Sequence, residues 1–110
     1  MGSSYVLATD PRGYPVDFSD TRWAYIISKH EDLLTFGISE EDLKKAIEHP
    51  LDNCIYQNNN KFPGCCLYYY PVRGGLFIRV VVKYQNNIGE IPTAHLYGRS
   101  KERGKILWRK

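Results

Sequence analysis

The run Leu76-Phe-Ile-Arg-Val-Val-Val-Lys-Tyr84 constrains the fold most tightly. Six of its nine residues are β-branched or aromatic, with turn chemistry at both ends, so it reads as one long strand. Arg73-Gly-Gly75 joins it as a hairpin to Cys66-Leu-Tyr-Tyr-Tyr-Pro-Val72. Gln85 to Glu90, with Asn86, Asn87 and Gly89, turns the chain again into Ile91-Pro-Thr-Ala-His-Leu-Tyr97. Side chains alternate across a strand, so Leu76, Ile78, Val80, Val82 and Tyr84 share one face, which must be the core under the helices. Phe77, Arg79, Val81 and Lys83 share the other. In the following strand Ala94 and Leu96 suit the core. Thr93, His95 and Tyr97 then join Arg79 and Lys83 on the outer face, with the register between the strands left open.

The first half of the chain carries a different period. Tyr5-Val-Leu-Ala8 and Tyr14-Pro-Val-Asp-Phe18 form a hairpin around Asp10-Pro-Arg-Gly13, where Asp, Pro and Gly supply turn chemistry. Ser19 or Asp20 caps a helix running to about His30, with Trp23, Ile26, Ile27 and His30 as its apolar stripe. Ser39-Glu-Glu-Asp42 opens a second helix with acids in its first turn. Ile38 and Leu43 staple it, and Pro50 ends it after His49. Cys54-Ile-Tyr-Gln57 is a short strand before the Asn58-Asn-Asn60 turn, and Lys105-Ile-Leu-Trp108 is a last edge strand. The expected fold is α+β: an N-terminal β-hairpin and two α-helices packed on a four- to five-stranded antiparallel sheet. The domain covers 5–110, and Met1-Gly-Ser-Ser4 is read as a disordered start or a vector remnant.

At 110 residues, 43% hydrophobic and 25% charged, the chain suits one globular domain. The nine Tyr stand out, because a phenol packs its ring while offering a hydroxyl at a half-wet surface. The net charge is only +3 but uneven. Residues 31–52 hold seven Asp/Glu against two Lys, whereas 97–110 hold six Lys/Arg against one Glu. An anionic partner would meet the basic end. Cys54, Cys65 and Cys66 make an odd count without a disulfide framework, so the expected location is cytoplasmic. His30, His49 and His95 are scattered, which disfavours structural zinc. No apolar run reaches membrane-spanning length, so no membrane is expected.

Several side chains on the outer face carry chemistry. Arg79, Lys83, Thr93, His95 and Tyr97 would line a groove of cations, a hydroxyl, an imidazole and a phenol. Beyond it, Arg99, Lys101, Arg103, Lys105, Arg109 and Lys110 can track a polyanion. Each has a plainer reading too. Arg79 and Lys83 can keep an exposed face soluble, Thr93 is a good strand former, and the tail can be a solvated basic end. Vicinal Cys65-Cys66 offers a thiol nucleophile, although no activating setting is evident.

The order Asp10-Pro-Arg-Gly13, Val16, Arg22-Trp23, His30-Glu31, the Ser39–Pro50 helix, Tyr68-Tyr69-Tyr70, Val80-Val81-Val82 and Thr93-Ala94 resembles small phage- and toxin-associated nuclease domains. These are similar to the barnase–EndoU–colicin–RelE-like (BECR) nuclease superfamily, and the resemblance spans roughly residues 10–108. It implies two helices on a four-stranded antiparallel sheet, metal-independent RNA cleavage without a cofactor, and a cognate inhibitor protein where the domain is a toxin. It also implies a functional His after the first helix and a Thr or Ser in a late strand, which fall on His30 and Thr93.

Such cleavage needs a base for the 2′-OH proton, an acid for the leaving oxygen and donors for the phosphate charge. The expectation is His30 as base or substrate-orienting group and His95 as acid. Lys83 and Arg79 stabilise the transition state, Thr93 bonds a non-bridging oxygen, and Tyr69 or Tyr70 stacks a base. His30 equally fits a core-edge position. The competing reading is an inactive nucleic-acid- or protein-binding module on the same scaffold, and the edge strand with Trp108 offers a homodimer surface.

Overall fold

A computed structural model describes residues 4–57, 64–98 and 105–110. Two strands, β1 (Ser4–Thr9) and β2 (Pro15–Ser19), form the N-terminal hairpin. Ser4, expected to precede the domain, is thus the first residue of a strand. Helix α1 (Asp20–Lys29) follows at once, then a single turn α2 (Asp32–Thr35) and helix α3 (Glu40–Glu48). Five strands complete the chain: β3 (Cys54–Gln57), β4 (Cys65–Pro71), β5 (Leu76–Gln85), β6 (Ile88–Gly98) and β7 (Lys105–Arg109).

Local chemistry sets these bounds. The Ser19 hydroxyl accepts from the Arg22 N–H at 3.1 Å and starts α1. The His30 N–H donates to the Ile26 and Ile27 carbonyls and closes it. Asp42 Oδ2 accepts the Ser39 N–H at 2.8 Å, and Ile38 and Leu43 are both buried beside it, as a staple requires. Asn86 and Asn87 both take positive φ, so β5 and β6 are joined by a two-residue turn of the kind whose twist matches a hairpin. Gly89, expected in that turn, is already inside β6.

The described residues form one α+β sheet of seven strands in the order β1-β2-β6-β5-β4-β3-β7. This corrects the expected four or five strands. It also corrects the antiparallel expectation, because β2 pairs with β6 in parallel at Val16↔Gly89 and Asp17↔Glu90. The expected pair of helices gains a third member, α2, where Leu33 is buried. Strand β7 pairs with β3, not with β6. Trp108, expected to offer a dimer surface, packs against the main core instead, and Ile106 and Leu107 are the exposed apolar residues of that strand.

The core lies between sheet and helices. Val16, Phe18, Ile26, Leu43, Ile47, Tyr68, Ile78, Val80, Val82 and Ala94 form it, so the alternation of β5 and β6 holds as expected. The opposite face carries a smaller cluster of Cys54, Tyr56, Leu67, Tyr69 and Val81, with Tyr97 against it.

One polar network crosses the helix-side core. Asp10, 3% exposed, accepts from the Arg12 and Tyr14 N–H groups at Oδ1. Its Oδ2 accepts from Arg12 Nε at 2.9 Å and Nη2 at 2.8 Å, and from the Tyr68 and Tyr84 hydroxyls at 3.0 and 2.9 Å. Burial pushes the Asp10 carboxyl up, but the Tyr14 N–H and Arg12 outweigh it and hold the group below the usual carboxylate range. Burial pushes both phenols well above the ordinary tyrosine value. The network ties the first turn of the chain to β4 and β5.

Candidate functional site

The outer face of β5 and β6 is built by register. Tyr69, Arg79 and His95 lie in one row across β4, β5 and β6, and Phe77 and Tyr97 occupy the next. Thr93 faces Val81 one row the other way. Cross-strand partners hold their Cβ atoms about 5 Å apart, so the row forces Arg79 and His95 together. Arg79 Nε donates to His95 Nε2 at 2.7 Å, and the guanidinium lies over the Tyr97 ring at 4.3 Å. Arginine is always protonated, so His95 accepts through Nε2 and carries its proton on Nδ1 in this geometry. The Tyr69 and Tyr97 ring centroids are 5.3 Å apart, and those of Tyr56 and Tyr69 are 5.5 Å apart.

His30 reaches this face from another element. Strand β2 pairs with only two residues of β6, and beyond them α1 and α2 pack against β6. Ten helical residues extend about 15 Å, which carries the end of α1 along the β6 edge. There His30 Nε2 is 3.3 Å from Thr93 Oγ1, and the His30 and His95 ring centroids are 5.5 Å apart. His30, Thr93, His95, Arg79 and Tyr97 therefore come together from three elements. All but Arg79 are half-buried.

Other expected residues are placed differently. Arg79, expected on an exposed face, is 5% exposed, because Tyr97 covers it and the sheet supports it. Tyr69 is fully buried, so it buttresses Tyr97 and presents no ring face of its own, while Tyr70 packs against the helix-side core. Lys83 is exposed and pairs with Glu90, two strand positions, or about 7 Å, beyond Val81. Arg99, Lys101 and Arg103 lie outside the described residues. Lys105, Arg109 and Lys110 belong to the β7 end. That strand is four places from β6 in the sheet, about 19 Å at ordinary strand spacing, so these three do not continue the β6 groove.

The Asp10 network went unread in the sequence, where Asp10 figured only as turn chemistry. Its signal was available: Tyr68 and Tyr84 alternate onto the core face, and buried phenols demand partners. Burial also pushes the Cys65 and Cys66 thiols up, against the pull of Lys83 on the first and Arg12 on the second, which disfavours a thiolate nucleophile. Among the described residues no group of three or more His, Cys, Asp or Glu is placed to hold a metal ion. No helix among them is long and apolar enough to cross a membrane.

The chain matches no family model, no curated protein and no solved structure. The geometry above is accordingly the basis on which its chemistry is read.

Proposed function

We propose that this chain is a small ribonuclease-like domain that cleaves RNA without a metal, the toxic or effector unit of a mobile element. The observation that carries this reading is the approach of two imidazoles, 5.5 Å apart, with Thr93 on one and Arg79 on the other. Imidazole is the side chain best suited to give and take protons near neutral pH. Where Thr93 donates to His30, Nε2 of His30 bears the lone pair, and the 2′-OH passes its proton there through the Thr93 hydroxyl or in its place. His95 supplies the acid for the leaving oxygen as the imidazolium, so its Nε2 must first part from Arg79 and take up a proton. The guanidinium so released bears the fixed positive charge nearest the phosphate. Tyr97 is the aromatic surface best placed for a flanking base. The superfamily resemblance adds His30 and Thr93 as the expected functional pair.

The test is an end-labelled oligoribonucleotide incubated with the protein in EDTA. The expected products carry 2′,3′-cyclic phosphate ends, and a 2′-deoxy residue at the scissile position blocks the cut. RNA left intact over the full time course overturns the enzymatic reading. The near-complete burial of Arg79 favours the second reading, a binding module on the same scaffold. In that case RNA is retained uncut, with affinity falling steeply as salt rises.

A further inference from the structure

A cleft of about 270 Å³ opens on the same face as the imidazoles, one bulge further along β6. Asp17, Ser19, Arg22, Lys83, Glu90 and Pro92 line it. Asp17, Glu90 and Lys83 are register partners across β2, β6 and β5, so two carboxylates and an ammonium stand in one row. Between that row and Thr93, β6 holds Ile91 and Pro92 where β5 holds only Val82. Pro92 has no N–H to donate, and the resulting bulge separates cleft from imidazoles without breaking the face. Arg22 enters from α1, on the same ridge as Ile26 and His30 at four-residue spacing. Eight residues of helix put the cleft about 12 Å from His30 along the axis.

We infer that this cleft is a subsite for a nucleoside of the RNA substrate, at least one step removed from the scissile bond, and that it prefers a base bearing an exocyclic amino group. The inference rests on the ribonuclease reading. The distance exceeds one step of a stacked strand, about 3.4 Å, so the bound nucleoside is not the one being cut. The charges exclude a bare phosphate, because Asp17 and Glu90 balance Arg22 and Lys83. Among the described residues none of these four forms an ion pair with another, and Arg22 lies with one side over the Tyr25 ring at 5.2 Å. Carboxylates accept from amino and imino N–H groups on a base edge, and uracil, with no amino group, offers the fewest such donors. Arg22 and the Pro92 ring provide flat surfaces against the base, while Lys83 reaches the sugar-phosphate chain.

The experiment uses oligoribonucleotides that share one cleavable step and carry cytidine or uridine at each flanking position. The wild type is compared with Asp17→Asn/Glu90→Gln, whose side chains keep their shape and lose their charge. The wild type is expected to show a lower KM for a cytidine-flanked substrate. The loss of two negative charges shifts both KM values by the same electrostatic factor, so the readout is their ratio: the double variant is expected to lose the preference for cytidine, on the order of tenfold in relative KM. A wild type that cuts both series equally, or a folded double variant that keeps the wild-type ratio, overturns the subsite alone. A wild type that cuts neither series overturns the ribonuclease reading, and the subsite with it.

Discussion

The sheet carries two polar clusters, one on each face, and they are built to opposite ends. On the helix side, Asp10 gathers N–H and O–H donors from Arg12, Tyr14, Tyr68 and Tyr84. Its carboxyl is held charged and the phenols are held neutral, so each group is fixed in one protonation state. On the outer side, His30 and His95 carry the side chain suited to proton exchange near neutral pH, Thr93 is a neutral hydroxyl, and only Arg79 is permanently charged. The first arrangement suits stability and the second suits chemistry. A fold that separates the two can lose one without losing the other.

Substitutions at the Asp10 network should therefore unfold the protein before they alter its chemistry. Asp10→Ala strands Arg12 and two buried phenols, and is expected to cost about 3–5 kcal/mol in chemical denaturation. Below its melting temperature the variant should still cut RNA at the wild-type rate. Loss of cleavage by a folded Asp10→Ala would break the comparison. Arg79→Lys acts on the other face. An ammonium cannot both bond His95 and lie flat on Tyr97, so cleavage should fall roughly a hundredfold, about 2.7 kcal/mol, at nearly constant secondary structure by circular dichroism.

Smaller effects sharpen the same contrast. A Cβ at Gly89 would come within 2.7 Å of Val82 and 2.9 Å of Tyr84 in the helix-side core. Gly89→Ala should therefore cost about 1–3 kcal/mol by overpacking, read as a lower melting temperature. Acid provides the last test. The folded carboxyl of Asp10 lies below its unfolded value, so its contribution is complete above about pH 4 and is lost as pH falls through the folded value. Stability measured from pH 5 downward should fall less steeply in Asp10→Asn than in the wild type.

Much of this was legible locally. Ser19, the Ser39–Asp42 cap and Pro50 bound the two main helices from their own chemistry, and alternation alone put Arg79, Thr93, His95 and Tyr97 on one face. What escaped depends on contacts distant in sequence. The parallel insertion of β2 beside β6 and the docking of β7 on β3 are choices among free strand edges, to which alternation is blind. Register was hidden as well. The facing of Arg79 and His95 depends on a two-residue Asn86–Asn87 turn and a bulge at Pro92, and a one-residue change in either would have set Ala94 or Leu96 opposite Arg79 and turned His95 to the other face. His30 and Thr93 were joined in expectation by resemblance, whereas their 3.3 Å approach depends on the length of α1 and on β2 leaving β6 early.

Whether the outer cluster does chemistry is read most directly from the rate of RNA cleavage in EDTA by wild type, His30→Ala and His95→Ala at matched melting temperature. The expected result is a fall of about 10²–10⁴-fold for each imidazole removed, and equal rates in all three proteins would take both imidazoles out of the reaction.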